Sequence, residues 1–160
     1  MDLDLDRMVS IDKTLEVKQD GNYWNGICFL NGYDHYPVNH KLAFKYFTLG
    51  ANEDHIDSIV ELGFCYLNGQ GTIGDLGKAV KCFQRAYKYA SLEAWTMVGF
   101  LTYNGNGIIQ DKEEGLSILD TAIEMGSHTA YAMLSLLDDP EPPSQQDRVQ
   151  LYSRPNWSSS

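Results

Sequence analysis

The sequence predicts an all-α protein, a solenoid of antiparallel helix hairpins. The first observation is that Asn-Gly recurs at Asn31-Gly32, Asn68-Gly69 and Asn104-Gly105, at steps of 37 and then 36 residues. A period of this size is typical of an array of small structural units that stack on one another. The second observation is that apolar residues between these dipeptides recur at three- and four-residue steps, which is the spacing of an amphipathic helix.

Small side chains follow the same period and provide the close packing that such an array needs. They are predicted to be structural residues of the repeat: Gly26, Gly63 and Gly99 in the first helices, Ala43, Ala79 and Gly115 in the second helices, and Gly32, Gly69 and Gly105 in the loops. A bulky residue at the helical places would force the helices apart, at a cost of about 1–3 kcal/mol. The first unit has one extra residue, which is most simply placed in the loop over 33–37, because loops accept insertions.

The array is predicted to begin after a degenerate cap. Residues 1–20 form an N-terminal capping segment that is predicted to be helical, because its apolar side chains recur at a loose helical spacing. In the first unit we predict helices over 23–30 and 41–49. Asn39 precedes the second of these helices and is expected to cap its free amides.

The second unit has the clearest pattern. A helix is predicted over 58–67, with Asp54 and Asp57 before it as residues that can cap its start. Gly69 ends this helix, because glycine readily adopts the left-handed conformation that closes many helices. A second helix, with polar residues between its apolar positions, is expected to begin after Asp75 as its cap.

The third unit repeats this plan. Ser91 is expected to cap its first helix, and Asn104-Gly105 to end it. Asp111 and Glu114 have the spacing of a capping box at the start of the second helix. Gly126 is expected to end that helix.

The repeat array is predicted to occupy residues 21–137, as three hairpins and a partial fourth. Residues 138–160 form a Pro/Ser-rich tail that is expected to be largely disordered, since its first prolines cannot continue a helix. The open face around Met133 and Leu134 then needs a cover. We expect that the tail folds back over it, or that this end meets another chain, which includes self-association.

Composition narrows the classes of function. The chain has 160 residues with 43% hydrophobic residues, which is enough for one folded domain with a substantial core. The formal net charge of −10 argues against nucleic acid as a partner, because phosphate contacts need clustered Lys and Arg. No apolar run is long enough for membrane insertion, and the acidic start lacks the layout of a secretion signal. The expected location is therefore intracellular, in the cytoplasm.

The sequence favours neither a cofactor nor a catalytic centre. The three cysteines, Cys28, Cys65 and Cys82, are expected to be free thiols. His35 and His40 could begin a metal site, but a third ligand is not evident, so no metal is predicted. The Gly-x-Gly loops follow helices instead of strands, which indicates a structural role and not a phosphate site.

These columns resemble the Sel1-like repeat, a relative of the tetratricopeptide repeat. The second unit matches best, with a small residue, Leu-Gly, an aromatic residue, a Gly-x-Gly loop, Asp, Ala, an aromatic residue and Ala in order at Ser58, Leu62, Gly63, Tyr66, Gly69, Gly71, Asp75, Ala79, Phe83 and Ala86. The third unit departs at Thr102, where the family prefers an aromatic residue. The first unit has Asp34 in place of the second loop glycine.

The resemblance implies a right-handed superhelix and a role as a non-enzymatic adaptor. We therefore expect a scaffold that binds a peptide or helix of another protein on its concave surface. One alternative is a regulatory or assembly subunit that docks on an enzyme complex through the exposed C-terminal repeat. A more remote alternative is a hydrolase of the β-lactam type, as proposed for cysteine-rich relatives, but this chain lacks their cysteine pair in each unit.

Three aromatic residues are candidate protein-binding residues. Trp95 and Tyr131 share one column of the repeat and Trp24 lies in another, at places where the family is usually polar or variable. Trp and Tyr dominate binding hot spots, so these residues could anchor a partner. The competing interpretation, in which they fill the core between units, stays open for all three and is favoured for Trp24.

Overall fold

The computed structural model describes residues 21–33 and 35–137. The predicted N-terminal cap, Asp34 and the predicted tail lie outside the described residues. Seven helices form the described part of the chain, which contains no strand: α1 Gly21–Asn31, α2 His40–Asn52, α3 Ile56–Asn68, α4 Leu76–Tyr87, α5 Leu92–Asn104, α6 Lys112–Glu124 and α7 His128–Leu137. The prediction of an all-α protein is confirmed.

The helices form hairpins that follow one another along the chain. α1 packs on α2, α3 on α4 and α5 on α6, and each hairpin packs on the next through the following first helix. First helices of adjacent units also touch, α1 with α3 and α5 with α7. Contacts between neighbours in the chain are the signature of a solenoid, in which each unit meets only the units beside it.

Asparagine and aspartate start each second helix. The side chains of Asn39, Asp75 and Asp111 accept hydrogen bonds from the backbone N–H three residues later, at 3.1, 3.0 and 2.9 Å. These bonds satisfy amides that have no partner within the helix. The three predicted caps are therefore present in all three units.

The first helices use a different set of caps. Ser91 caps α5 as predicted, and Ser127 caps α7 in the same way. At α3 the expectation was wrong, because neither Asp54 nor Asp57 is the cap. His55 has this role, and its Nδ1 accepts from the Ser58 N–H at 3.2 Å. Asp54 instead has a left-handed backbone and pairs with Arg85.

Glycine at the helix ends allows the turns that close the hairpins. Gly69 and Gly105 have φ angles of +65° and +69°, and each N–H bonds back to the last turn of its helix. Two residues further on, Gly71 lies against the previous unit. A Cβ at Gly71 would lie 2.0 Å from the carbonyl oxygen of His40. This glycine therefore lets the loop of the second unit touch the backbone of the first.

The first helices rest directly on side chains of the second helices. A Cβ at Gly26 would lie 2.4 Å from the Phe47 ring, and one at Gly63 would lie 2.9 Å from the Phe83 ring. At Gly99 the nearest atoms belong to Ile118 and Leu119, at 3.0 Å. The two phenylalanines are fully buried, as are Ala43 and Ala79 beside them. One continuous core runs through the array, with a smaller cluster of Leu119, Ala122 and Ala130 at its C-terminal end.

Candidate protein-binding surfaces

The three candidate aromatic residues do not form one cluster, because they lie on α1, α5 and α7. Trp24 is 55% exposed and Tyr131 is 65% exposed, whereas Trp95 is half-buried. Trp24 and Tyr131 are two of the nine exposed large apolar side chains among the described residues. They are candidates for contact with a partner, because an exposed aromatic ring gains most from burial.

Trp24 owes its exposure to its place at the start of the described array. Its equivalents in the later units are Glu61, Met97 and Met133, of which each is at most 2% exposed. Trp24 is therefore the exposed member of a column that is buried in the later units, and it lies on the first described helix. The sequence pattern of one unit does not reveal this difference.

Trp95 packs between the second and third units. Its ring stacks on Tyr87 with the centroids 4.3 Å apart and the planes at 28°. It also contacts both hydrophobic clusters of the core. Its Nε1 is buried and has no hydrogen-bond partner among the described residues. This geometry makes Trp95 a support for the surface around it, with only part of its ring open to solvent.

Tyr131 is the equivalent of Trp95 in the fourth unit. The same column contains Ile59, which is fully buried, so exposure increases toward the C-terminal end. α7 has no second helix of its own within the described residues, where its main contacts are with α6 and α5. Met125 is also exposed, at the turn that precedes α7. These side chains form an open, partly apolar end.

A groove separates the second helices of the second and third units. We call it the basic groove, and it is defined by its lining residues: Lys81, Gln84, Arg85, Tyr87 and Lys88 of α4 and its end, Val98 and Thr102 of α5, Ile108 of the loop, and Glu114 and Ile118 of α6. Its volume is about 590 Å³. Val98, Ile108 and Ile118 give it apolar surface, which we call its floor, and the α4 side, which we call its wall, carries three cations.

A second groove lies where the connections between units meet. Tyr23, Ile56 and Leu92 give it apolar surface, and Asp57 and Glu93 add carboxylates. Its volume is about 630 Å³. His55, the cap of α3, lines this groove and lies 5.2 Å from the Tyr23 ring, centroid to centroid. The groove therefore joins the first three units along one edge of the array.

The described residues contain no candidate metal site, and the raised pKa values of two cysteines make their thiols less reactive. No group of three His, Cys, Asp or Glu side chains within residues 21–33 and 35–137 could hold a metal ion. Cys28, Cys65 and Cys82 are free thiols. Burial, with the Glu61 charge as a smaller cause, raises the pKa of Cys65 to about 12. Burial raises the pKa of Cys82 to about 11, against the lowering effect of Arg85. None of the described helices is long and apolar enough to cross a membrane.

Sequence reasoning missed the basic groove. The spacing of Lys81, Arg85 and Lys88 along the sequence predicts only the polar face of a helix. Their charge was an available signal, since α4 has no Asp or Glu in a chain whose net charge is −10. The groove itself depends on how α4 and α6 are spaced, and a single helix pattern does not contain this information.

Solved structures with the same architecture come from bacterial repeat proteins. A Sel1 repeat protein from Oxalobacter formigenes superposes with a TM-score of 0.64 and 22% identity, over 82% of this chain and 97% of that one. A protective antigen of uropathogenic Escherichia coli strains gives 0.66 and 21%, over 80% of this chain and 27% of that one. Cysteine-rich protein B of Helicobacter pylori gives 0.57 and 21%, over 73% and 93%. At these identities the likeness shows the fold.

Two curated relatives match a shorter stretch. The DAP3-binding cell death enhancer 1 proteins of Rattus norvegicus and Mus musculus are each 41% identical over 49 residues, which is 31% of this chain. The match spans only 10% of the length of those relatives. The profile of the Sel1 repeat matches three times, at residues 20–55, 56–88 and 93–127, and so covers most of the described array. The chain belongs to the Sel1 repeat family.

Proposed function

We propose that this chain is a non-enzymatic scaffold that binds a peptide or helix of another protein. The proposed contact residues are Trp24, Trp95 and Tyr131, on the concave surface and ends of the array. The observation that supports this proposal best is the exposure of Tyr131, on a helix whose apolar face has no second helix against it in the described residues. Members of the Sel1 repeat family generally act as scaffolds between proteins, which agrees with this role.

The energetics favour Tyr131 as the main anchor. An aromatic ring that becomes fully buried in a partner pocket can contribute several kcal/mol, and such residues tend to dominate an interface, at ≥ ~2 kcal/mol each. Tyrosine also loses little conformational entropy, because it has few rotatable bonds. Trp95 has a supporting part in this proposal, since its stack on Tyr87 fixes the surface next to α7.

Site-specific photo-crosslinking in the cells that express the chain tests the proposal. A photoreactive phenylalanine analogue at position 131 should link the chain to a defined protein, identified by mass spectrometry. The matched control places the same analogue at Ile73, which is 89% exposed on the loop before α4. Identical crosslinked proteins at both positions would show random collision and contradict the proposal.

Affinity measurements on the identified partner complete the test. Tyr131→Ala should weaken binding at least about tenfold, which corresponds to about 1.4 kcal/mol. Ile73→Ala should leave the affinity unchanged, although both side chains are exposed. An unchanged affinity for Tyr131→Ala would exclude Tyr131 as an anchor.

A second candidate function is an assembly subunit that docks through its C-terminal repeat. The exposure of Met125 and Tyr131 favours it, because Met125 lies in the turn before the last described helix and Tyr131 lies on that helix. Light scattering over a range of concentrations would reveal self-association through this end. A dimer that Tyr131→Ala or Met125→Ser dissociates supports end docking, whereas a monomer at all concentrations leaves only docking on a different protein.

A further inference from the structure

We propose that the basic groove binds an acidic segment of a partner protein, one that places carboxylates and apolar side chains on the same short stretch. This inference depends on the proposed role in protein binding, but it concerns a surface without Trp24 or Tyr131. The groove has an apolar floor for the apolar side chains and a cationic wall for the carboxylates.

The cationic wall is unusual in this molecule. Four of the twelve Lys and Arg residues of the chain lie on α4 and the residue that follows it: Lys78, Lys81, Arg85 and Lys88. α4 contains no acidic residue. The chain as a whole has a net charge of −10, so this helix opposes the charge of the rest of the protein. Local charge of one sign in a groove selects a partner of the opposite sign.

Two of these cations have an assigned role in the fold. Lys78 places its Nζ 5.5 Å from the centre of the Tyr66 ring. Arg85 donates to the carbonyl oxygen of Ala51 at 2.9 Å and pairs with Asp54, so it connects the second unit to the first. Arg85 lies in the last turn of α4 and also stabilises its carbonyl end.

Lys81 and Lys88 are not used in this way. Both are exposed, and within the described residues neither has a carboxylate or an aromatic ring as a partner. They lie two turns apart along the same wall, so they would meet carboxylates spread along a segment. Two free ammonium groups above an apolar floor match a ligand that carries both kinds of side chain.

The floor is rigid enough to recognise a shape. Val98 and Ile118 are buried, and Ile108 is packed on the core. Tyr87, at the end of the wall, is fixed by its stack on Trp95. A preformed groove reduces the entropy cost of binding. The volume of about 590 Å³ suits a short peptide segment.

Glu114 allows a test of the charge of the ligand. It is the single carboxylate among the residues that line the groove, and it lies on the α6 side. An acidic ligand is repelled by this side chain and attracted by the lysines. Replacing Glu114 by glutamine must therefore strengthen binding of an acidic ligand, whereas a basic ligand would bind more weakly.

Peptide display on the intact chain is the first experiment. A library of random 12-residue peptides is selected against the wild-type chain, and the selected peptides are sequenced. We expect enrichment of peptides with an excess of Asp and Glu and at least one large apolar residue. The K81E/K88E variant should no longer select them. Peptides without an acidic excess, or no enriched peptides, would overturn the inference, while crosslinks at position 131 would still test the proposed function.

Binding of one selected peptide, measured by fluorescence anisotropy, gives the quantitative test. K81E/K88E should weaken binding at least about tenfold, and the neutral variant K81M/K88M should weaken it less. E114Q should strengthen binding about two- to fivefold, which is in the range of single surface charges. K41E/K45E on α2 is the matched control, because Lys41 and Lys45 are also exposed and Lys45 is the repeat equivalent of Lys81. Equal losses in the two pairs would overturn the inference, as would weaker binding in E114Q.

Competition identifies the origin of the ligand. Synthetic peptides of residues 1–12 and 138–149 of this chain are both acidic. Displacement of the selected peptide by either one at equal concentration would mean that the groove takes a segment of its own chain, which would contradict binding of a partner protein. Failure of both to compete supports a ligand from another protein.

Discussion

Gly115 lies directly against the backbone of Tyr103. A Cβ built on Gly115 would lie 2.6 Å from the backbone nitrogen of Tyr103 and 2.7 Å from its Cα. α6 therefore approaches α5 more closely here than a side chain allows. The equivalent residues in the first two units are Ala43 and Ala79, so the third hairpin has the tightest version of this contact.

Gly115→Ala should destabilise the protein although alanine favours helices. The better helix propensity contributes about 1 kcal/mol, but overpacking against backbone costs about 1–3 kcal/mol, because backbone cannot move aside as a side chain can. We expect a net loss of up to about 2 kcal/mol. Urea denaturation followed by circular dichroism measures it.

Gly77→Ala is the matched control for this prediction. Gly77 is exposed in the first turn of α4, and its nearest atom is an Asp75 carboxylate oxygen at 3.4 Å. The same substitution should here raise the free energy of unfolding by up to about 1 kcal/mol. If both variants changed stability in the same direction, the close contact at Gly115 would not be the reason.

The turn between units has a left-handed residue at one fixed place. Asp54, Ala90 and Gly126 are equivalent, with φ angles of +60°, +57° and +101°. This conformation costs alanine about 1–2 kcal/mol relative to glycine. Ala90→Gly should therefore stabilise the protein by about 0.5–1 kcal/mol, after the greater freedom of glycine in the unfolded chain is subtracted.

Gly126→Ala is the reverse experiment. A Cβ at Gly126 meets no atom within 4 Å, so the expected loss of about 1 kcal/mol comes from the backbone alone. Thermal melts of both variants measure the two effects. If Gly126→Ala stabilised the protein or Ala90→Gly destabilised it, the backbone φ angle would not determine the effect of substitutions at this position of the repeat.

Ser127 connects the third and fourth units through a buried hydrogen bond. Its Oγ lies 2.9 Å from Oγ1 of Thr96 and also accepts from the Ala130 N–H at 3.0 Å. Ser127→Ala removes a helix cap and a buried partner together, at about 1–3 kcal/mol. Because α7 is the last described helix, the loss should act locally, with faster amide exchange in α7 and little change in α3.

Ser91→Ala is the control for Ser127. It removes the equivalent cap of α5, where the bond to the Ala94 N–H is longer, at 3.4 Å. We expect a smaller loss there, of about 1 kcal/mol. A larger effect in Ser91→Ala, or unchanged exchange in α7 of Ser127→Ala, would contradict the role given to the Thr96 contact.

Local rules made most of the fold predictable from the sequence. Caps such as Asn39 and turns such as Gly69 depend on a few adjacent residues, so their residue types reveal them. His55 was missed because two acidic residues flank it and histidine is a less common cap. The surfaces depend on neighbours across units. The exposure of Tyr131 follows from its place at the end of the described array, and the basic groove follows from the spacing of α4 and α6.

The thiols of Cys65 and Cys82 should react slowly with alkylating reagents, because burial raises their pKa. The thiolate is the reactive form, and the pKa of Cys82 is raised to about 11, so only roughly a thousandth of this thiol is ionised at pH 8. Cys65, with a pKa raised to about 12, has an even smaller thiolate fraction. Alkylation by iodoacetamide at pH 8 should therefore be slow in the folded protein, with Cys82 modified before Cys65.

The same shifts predict how stability depends on pH. Cys65 and Cys82 ionise near 9 in the unfolded chain but near 12 and 11 in the folded protein. The folded state therefore holds its protons longer, and its advantage is complete below pH 9 and decreases as the pH rises toward 11–12. Cys65→Ser/Cys82→Ser variants should show a flatter decline of the melting temperature between pH 9 and 11. In the alkylation experiment described above, a rate for Cys65 as fast as in the unfolded protein at pH 8 would contradict the raised pKa of this thiol.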